Sequence, residues 1–135
     1  MVVHEWWGRN AFADDRAQAL AKLGYVGFAV DMYGNHTLAD NPADASALSS
    51  AIGGNLALMK GRFMAAIHAV QQQPEVDPER IAVIGFCFGG TVALNMVRQG
   101  VTLAAMAGIP LGPQWLGADR SPAHQNTVTS VHRRG

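Results

Sequence analysis

Residues Ile81 to Asn95, reading I-A-V-I-G-F-C-F-G-G-T-V-A-L-N, constrain this chain more than any other stretch. Ile81 to Ile84 is a short apolar run with the length and β-branched content of a buried parallel strand. It ends at Gly85. After Phe86, Cys87, Phe88, Gly89 and Gly90, a helical pattern follows through Val92, Leu94, Met96 and Val97. One thiol therefore falls on a strand-to-helix turn, with a glycine two residues before it and another two residues after. This is the pattern G-x-S-x-G with sulfur in place of the serine oxygen. A turn this sharp has no room for a Cβ at the two glycine positions. The helix that follows directs its first free N–H groups at the turn, which favours a thiolate or a developing oxyanion there. A lone cysteine is more often a small, inert core residue. Phosphate-binding glycine patterns, G-x-G-x-x-G and G-x-x-x-x-G-K-[ST], are both absent. The order strand, Gly, Cys, Gly-Gly, helix favours the nucleophile.

Composition narrows the remaining classes. At 135 residues the chain has room for one domain and one modest core, and 49% hydrophobic against 15% charged residues describes a globular protein. Ten basic and ten acidic residues balance to zero formal charge, which argues against a nucleic-acid or anionic-membrane partner. The single cysteine forbids an internal disulfide and fits a reducing, cytoplasmic setting. The opening M-V-V-H-E-W-W-G lacks the basic and apolar regions of a signal peptide, and the uncharged window 81–97 is too short for a membrane span. No cofactor-binding or metal-ligand pattern stands out, and no oligomeric state is specified.

Taken in order, Val2 and Val3 read as the tail of a strand whose beginning is missing, and His4 to Gly8 as the loop after it. The adjacent Trp6 and Trp7 would line a pocket if that loop lies at a strand's carboxyl end. Asn10 to Leu23 reads as a helix, with Asp14 and Asp15 near its start, Lys22 near its end and Gly24 stopping it. Tyr25 to Val30 is expected to be a strand, and Met32 to Ala43 a loop in which His36 has no evident partner. Ala43 to Ser50 reads as a short helix. Leu56, Met59, Phe63, Ile67 and Val70 then mark one face of a longer one. Beyond Gly100, Leu103 to Ala107 begins another strand. Residues 108–135 mix Pro, Gly, Ser, Thr, Gln and Arg without periodicity and are expected to be an irregular or disordered tail. Strands alternating with helices predict an α/β fold with a mostly parallel sheet and flanking helices.

Three segments carry a family resemblance: V-V-H-E-W-W-G at Val2, G-Y-V-G-F-A-V-D-M-Y-G at Gly24 and R-I-A-V-I-G-F-C-F-G-G at Arg80. In that order and spacing they resemble the dienelactone hydrolase family, over about residues 1–107. The resemblance implies an incomplete α/β-hydrolase fold and a hydrolase of ester or lactone bonds in small molecules. It places the nucleophile at Cys87 and, at Glu5, a glutamate that helps generate the thiolate. It assigns the oxyanion hole to the backbone N–H groups of Trp6 and Phe88. A thiol of ordinary pKa, about 8.5, needs such a base or a positive field to be reactive at neutral pH. The family's triad aspartate and histidine lie later in sequence, and Asp119, His124 and His132 do not match them. The alternative is therefore an inactive fragment, truncated or frameshifted near Ala107, which associates through sheet edges. A third reading makes Cys87 a redox sensor, which would need a thiol from elsewhere.

Overall fold

The computed structural model describes residues 1–109. Eight elements follow one another: β1 (Val2–Val3), α1 (Ala11–Lys22), β2 (Ala29–Val30), α2 (Pro42–Gly53), α3 (Leu56–Gln71), β3 (Ala82–Phe86), α4 (Phe88–Arg98) and β4 (Ala105–Ile109). The four strands form one sheet in the order β2-β1-β3-β4, every pair parallel. The expected parallel α/β architecture is therefore present.

The pleat decides which residues meet which helices. Val2 stands beside Ala29 and Ile84 in register and packs with them under Ala13, Ala17 and Leu20 of α1. Val3, Val30 and Val83 face the other way, into the main core with Met59, Phe63, Ile67 and Val70 of α3 and Val92, Ala93 and Met96 of α4. The helices thus cover both faces, as parallel strands require. Phe63, Val92, Ala93 and Met96 are wholly shielded from solvent. A buried side chain of the larger kind contributes roughly 1.5–3 kcal/mol through the water it sheds.

Helix boundaries follow local chemistry. Asn10 caps α1 by accepting the Phe12 N–H, Asn41 caps α2 through Asp44 N–H with Pro42 in the first turn, and Asn55 caps α3 through Leu58 N–H. The stripe expected on α3 is buried except for Leu56, which stands at the helix's first position and is 48% exposed.

Three expectations need correction. The strand expected over Tyr25 to Val30 is confined to Ala29–Val30, because its only strand neighbour among the described residues, β1, pairs over two residues. The short helix expected over Ala43 to Ser50 extends from Pro42 to Gly53. The strand expected from Leu103 instead starts at Ala105 and runs to Ile109, with Gly108 facing Gly85 and Ile109 facing Phe86. The tail boundary drawn at 107/108 thus falls within β4, and residues 110–135 lie outside the described residues.

The strand order also locates a crevice. From β1 the chain moves to β2 on one side, and later passes from β3 to β4 on the other. Between β1 and β3 the direction reverses, and in open parallel sheets ligands bind at the carboxyl ends of the strands at such a point.

Candidate active site

The loops leaving β1 and β3 meet at that crevice. Val3 stands opposite Gly85 in the sheet, so Glu5 and Cys87 each lie two residues beyond that pair. Cys87 is half-buried and has φ 56° and ψ −121°, a left-handed backbone that L-residues seldom adopt. It occupies the N-cap of α4, yet its side chain makes no capping hydrogen bond. Its carbonyl instead begins the helix by accepting the Thr91 N–H at 3.1 Å.

The flanking glycines explain how that geometry is accommodated. A Cβ on Gly85 would lie 2.4 Å from Gly89 backbone atoms, and one on Gly89 would lie 2.3 Å from the Val3 carbonyl oxygen. The first turn of α4 therefore rests directly on the backbone at the end of β1. Both expected anion donors are near this junction. Neither the Trp6 N–H nor the Phe88 N–H finds an acceptor among the described residues, which leaves two amide donors available.

A buried aromatic group holds the two loops together. His4 is 1% exposed, and its ring lies 4.7 Å from Tyr33 edge-on and 5.6 Å from Phe88 in a stacked arrangement. Burial, opposed by the bond to Glu5 O and the charge of Asp31, holds the imidazole below its usual pKa. Tyr33 donates its hydroxyl to Trp6 O at 2.8 Å, and burial, with Cys87 nearby, pushes its phenol well above the ordinary range despite Ser49. Asp31, at the end of β2, accepts the N–H groups of Tyr33 (3.1 Å), Gly34 (2.9 Å) and His36 (2.9 Å). Desolvation pushes its carboxyl upward, but these donors and His4 outweigh that and hold it below the usual carboxylate range. Arg62 of α3 donates to Met32 O at 2.7 Å and also to Tyr33 O, closing the same loop from beneath.

Of the residues expected at the site, Glu5, Trp6 and Cys87 fall on these two adjoining turns, and Phe88 opens α4 directly after Cys87. Trp6 and Trp7 are half-buried, their rings 5.4 Å apart. His36 stays exposed in the loop after β2. His4, Asp31, Tyr33 and Arg62 were missed. The available signals were a histidine directly after two valines and an aspartate ending an apolar run. Among the described residues no group of three His, Cys, Asp or Glu side chains could hold a metal ion. No helix among them is long and apolar enough to cross a membrane.

The sequence model of the dienelactone hydrolase family matches residues 1–126. The chain belongs to the dienelactone hydrolase family. The match continues past residue 107, where the resemblance read from motifs stops. Among curated proteins, a provisionally named carboxymethylenebutenolidase of Aquifex aeolicus is 34% identical over 103 residues, covering 73% of this chain and 44% of its own length. Protein usf of Aquifex pyrophilus is 32% identical over 98 residues, covering 70% and 42%. A solved dienelactone hydrolase-like promiscuous phosphotriesterase from metagenomic libraries superposes with a TM-score of 0.75 at 39% identity, covering 80% of this chain and 45% of that one. The solved protein m3DLH superposes with a TM-score of 0.76 at 37% identity, covering 86% and 50%. The chain thus spans half or less of the length of these relatives. The described sheet and helices form part of an α/β-hydrolase fold of dienelactone hydrolase type.

Proposed function

We propose that the crevice between β1 and β3 is the acyl-transfer site of an ester or lactone hydrolase, with Cys87 as nucleophile and Glu5 as the group that draws off its proton. The backbone of Cys87 carries this reading. A non-glycine residue at φ 56° is strained, and the surrounding packing holds it there without using its side chain for capping. The sulfur at this nucleophile elbow attacks the carbonyl carbon of a small-molecule ester. As the C–S bond forms, the carbonyl electrons move onto oxygen, which the N–H groups of Trp6 and Phe88 receive. Each such donor is worth roughly 3 kcal/mol in acyl transfer. Collapse breaks the C–O bond, the alcohol leaves with a proton, and a thioester remains on Cys87. Addition of water releases the acid and restores the thiol. A reducing, cytoplasmic setting would keep that thiol free.

A second reading concerns the final step. Among the described residues His4 is the one histidine packed against the turn, and both its ring nitrogens are engaged, with Glu5 O and Met32 N–H. It is not free to activate water. On this reading the present chain acylates and then stalls, behaving as a catalytically incomplete hydrolase.

The test is a p-nitrophenyl acetate assay of the full chain. The expected result is a stoichiometric burst, with the acetyl group on Cys87 by mass spectrometry and no burst after Cys87→Ala. A burst that survives Cys87→Ala overturns the nucleophile. Steady multiple turnover would overturn the stalled reading alone.

A further inference from the structure

The carbonyl of Glu5 and the N–H of Trp6 are opposite ends of one peptide unit. In a planar trans peptide they point in opposite directions, so fixing one aims the other. His4 Nδ1 lies 2.5 Å from Glu5 O, which accepts the Gly8 N–H only at a longer 3.3 Å, while Nε2 accepts the Met32 N–H at 3.1 Å. With Nε2 the acceptor, the neutral ring carries its proton on Nδ1 and donates it to Glu5 O. The ring cannot swing away, because it is buried between Tyr33 and Phe88. On the far side of Trp6, the Tyr33 hydroxyl holds the Trp6 carbonyl at 2.8 Å. Both peptides flanking Trp6 are therefore tied to buried aromatic side chains. One of these aromatics, His4, also stacks on Phe88, the residue bearing the second donor.

We propose that His4 is a positioning residue for acyl transfer: its bond to Glu5 O sets the Glu5–Trp6 peptide plane and thereby aims the Trp6 N–H at the oxyanion. Tyr33 assists by holding the next peptide. The inference rests on the oxyanion role given to Trp6 above. In this role His4 acts through the peptide and not on the substrate. Its effect is confined to steps in which negative charge develops on a carbonyl oxygen.

That restriction supplies the test. Two reactions of Cys87 are timed in the full chain: acetylation by p-nitrophenyl acetate, which passes through an oxyanion, and alkylation by iodoacetamide, which does not. Their ratio cancels differences in thiolate fraction. The native ratio is expected to exceed that of N-acetylcysteine by about 30-fold or more. His4→Gln can still accept from Met32 N–H but lacks the donor at Nδ1, and should lower the ratio about 10-fold. His4→Asn places its amide N–H at the Nδ1 position and should stay within about 3-fold of native. A purely structural role would move both rates together and leave the ratio unchanged. The proposal is overturned if His4→Gln keeps the native ratio, or if His4→Asn loses as much as His4→Gln. Should either variant fail to fold, Tyr33→Phe decides: a fall of about 3-fold supports the proposal and an unchanged ratio overturns it. If the native ratio merely equals that of N-acetylcysteine, the oxyanion role of Trp6 has itself failed, which is a different result from any variant effect.

Discussion

Gly89 lies so close to the backbone of Val3 that a Cβ on it would sit 2.3 Å from the Val3 carbonyl oxygen. The contact joins the first turn of α4 to the end of β1, and both partners are main chain, so neither yields easily. Gly89→Ala is expected to cost about 3 kcal/mol or more. Urea unfolding followed by circular dichroism reads this directly. An unchanged midpoint would show that the helix does not rest on the strand as described.

Arg62 reaches from α3 to two carbonyls of the loop after β2, those of Met32 and Tyr33. Arg62→Met keeps much of the aliphatic stem and removes both charge-assisted hydrogen bonds. The expected loss is about 2 kcal/mol of stability. Arg62→Lys should recover part of it, since a single ammonium still supplies donors. Equal stability of Arg62→Met and the native chain would contradict the clamp.

Asp31 folds the same loop around itself through three N–H donors. Its carboxyl is held below the usual range in the folded state. Its contribution is therefore present above the unfolded pKa, near 3.9, and is lost as pH falls through the lower folded value. After allowance for its partial exposure, Asp31→Asn should cost about 1 kcal/mol at neutral pH and flatten the acid limb of the stability profile. Thermal melts across that limb compare the two proteins.

His4 gives a separate limb. Burial lowers its folded pKa, so the unfolded chain binds a proton first as the solution is acidified. Stability is complete above the unfolded pKa, about 6.5, and falls below it by up to ~1.4 kcal/mol per pH unit until the folded pKa is reached. Between pH 6.5 and 5, His4→Asn should show a flatter profile than the native chain. Parallel profiles would remove His4 from the account.

Much of the candidate site is legible in the sequence because its strongest constraint is local. The turn at Cys87 needs glycine at 85 and 89 for steric reasons, and steric reasons leave a residue-type signature. The inward stripe on α3 is legible for the same reason, since periodicity is local. What binds the loops is not local. The two partners of His4, Glu5 O and Met32 N–H, are backbone groups without side-chain identity, and Met32 lies 28 residues away. Arg62 stands on α3 among core residues, and nothing in its neighbours announces two carbonyls from the loop after β2. The strand expected over Tyr25 to Val30 was overdrawn because propensity favours a strand there while pairing depends on the length of β1.

The position of β1 bears on how the chain reaches this state during synthesis. The strand lies in the middle of the described sheet, yet it is translated before both of its neighbours there, and the Met1 nitrogen meets its partner carbonyl on Ala82 only 81 residues later. Until β3 leaves the ribosome, β2 is the one described strand that Val2 and Val3 can meet, and the flank of β1 that β3 will cover stays open. Closing so long a loop carries an entropic cost that local helix contacts do not repay in advance, so parallel pairing of this kind is slow. The turn bearing Cys87 leaves the exit tunnel just behind β3, and its glycines cannot settle against Val3 until that strand has docked. The turn at Cys87 is thus shaped at the same moment as the centre of the described sheet. A nascent chain paused before that moment carries helices and a pair of short strands, but not the turn at Cys87 seated against Val3.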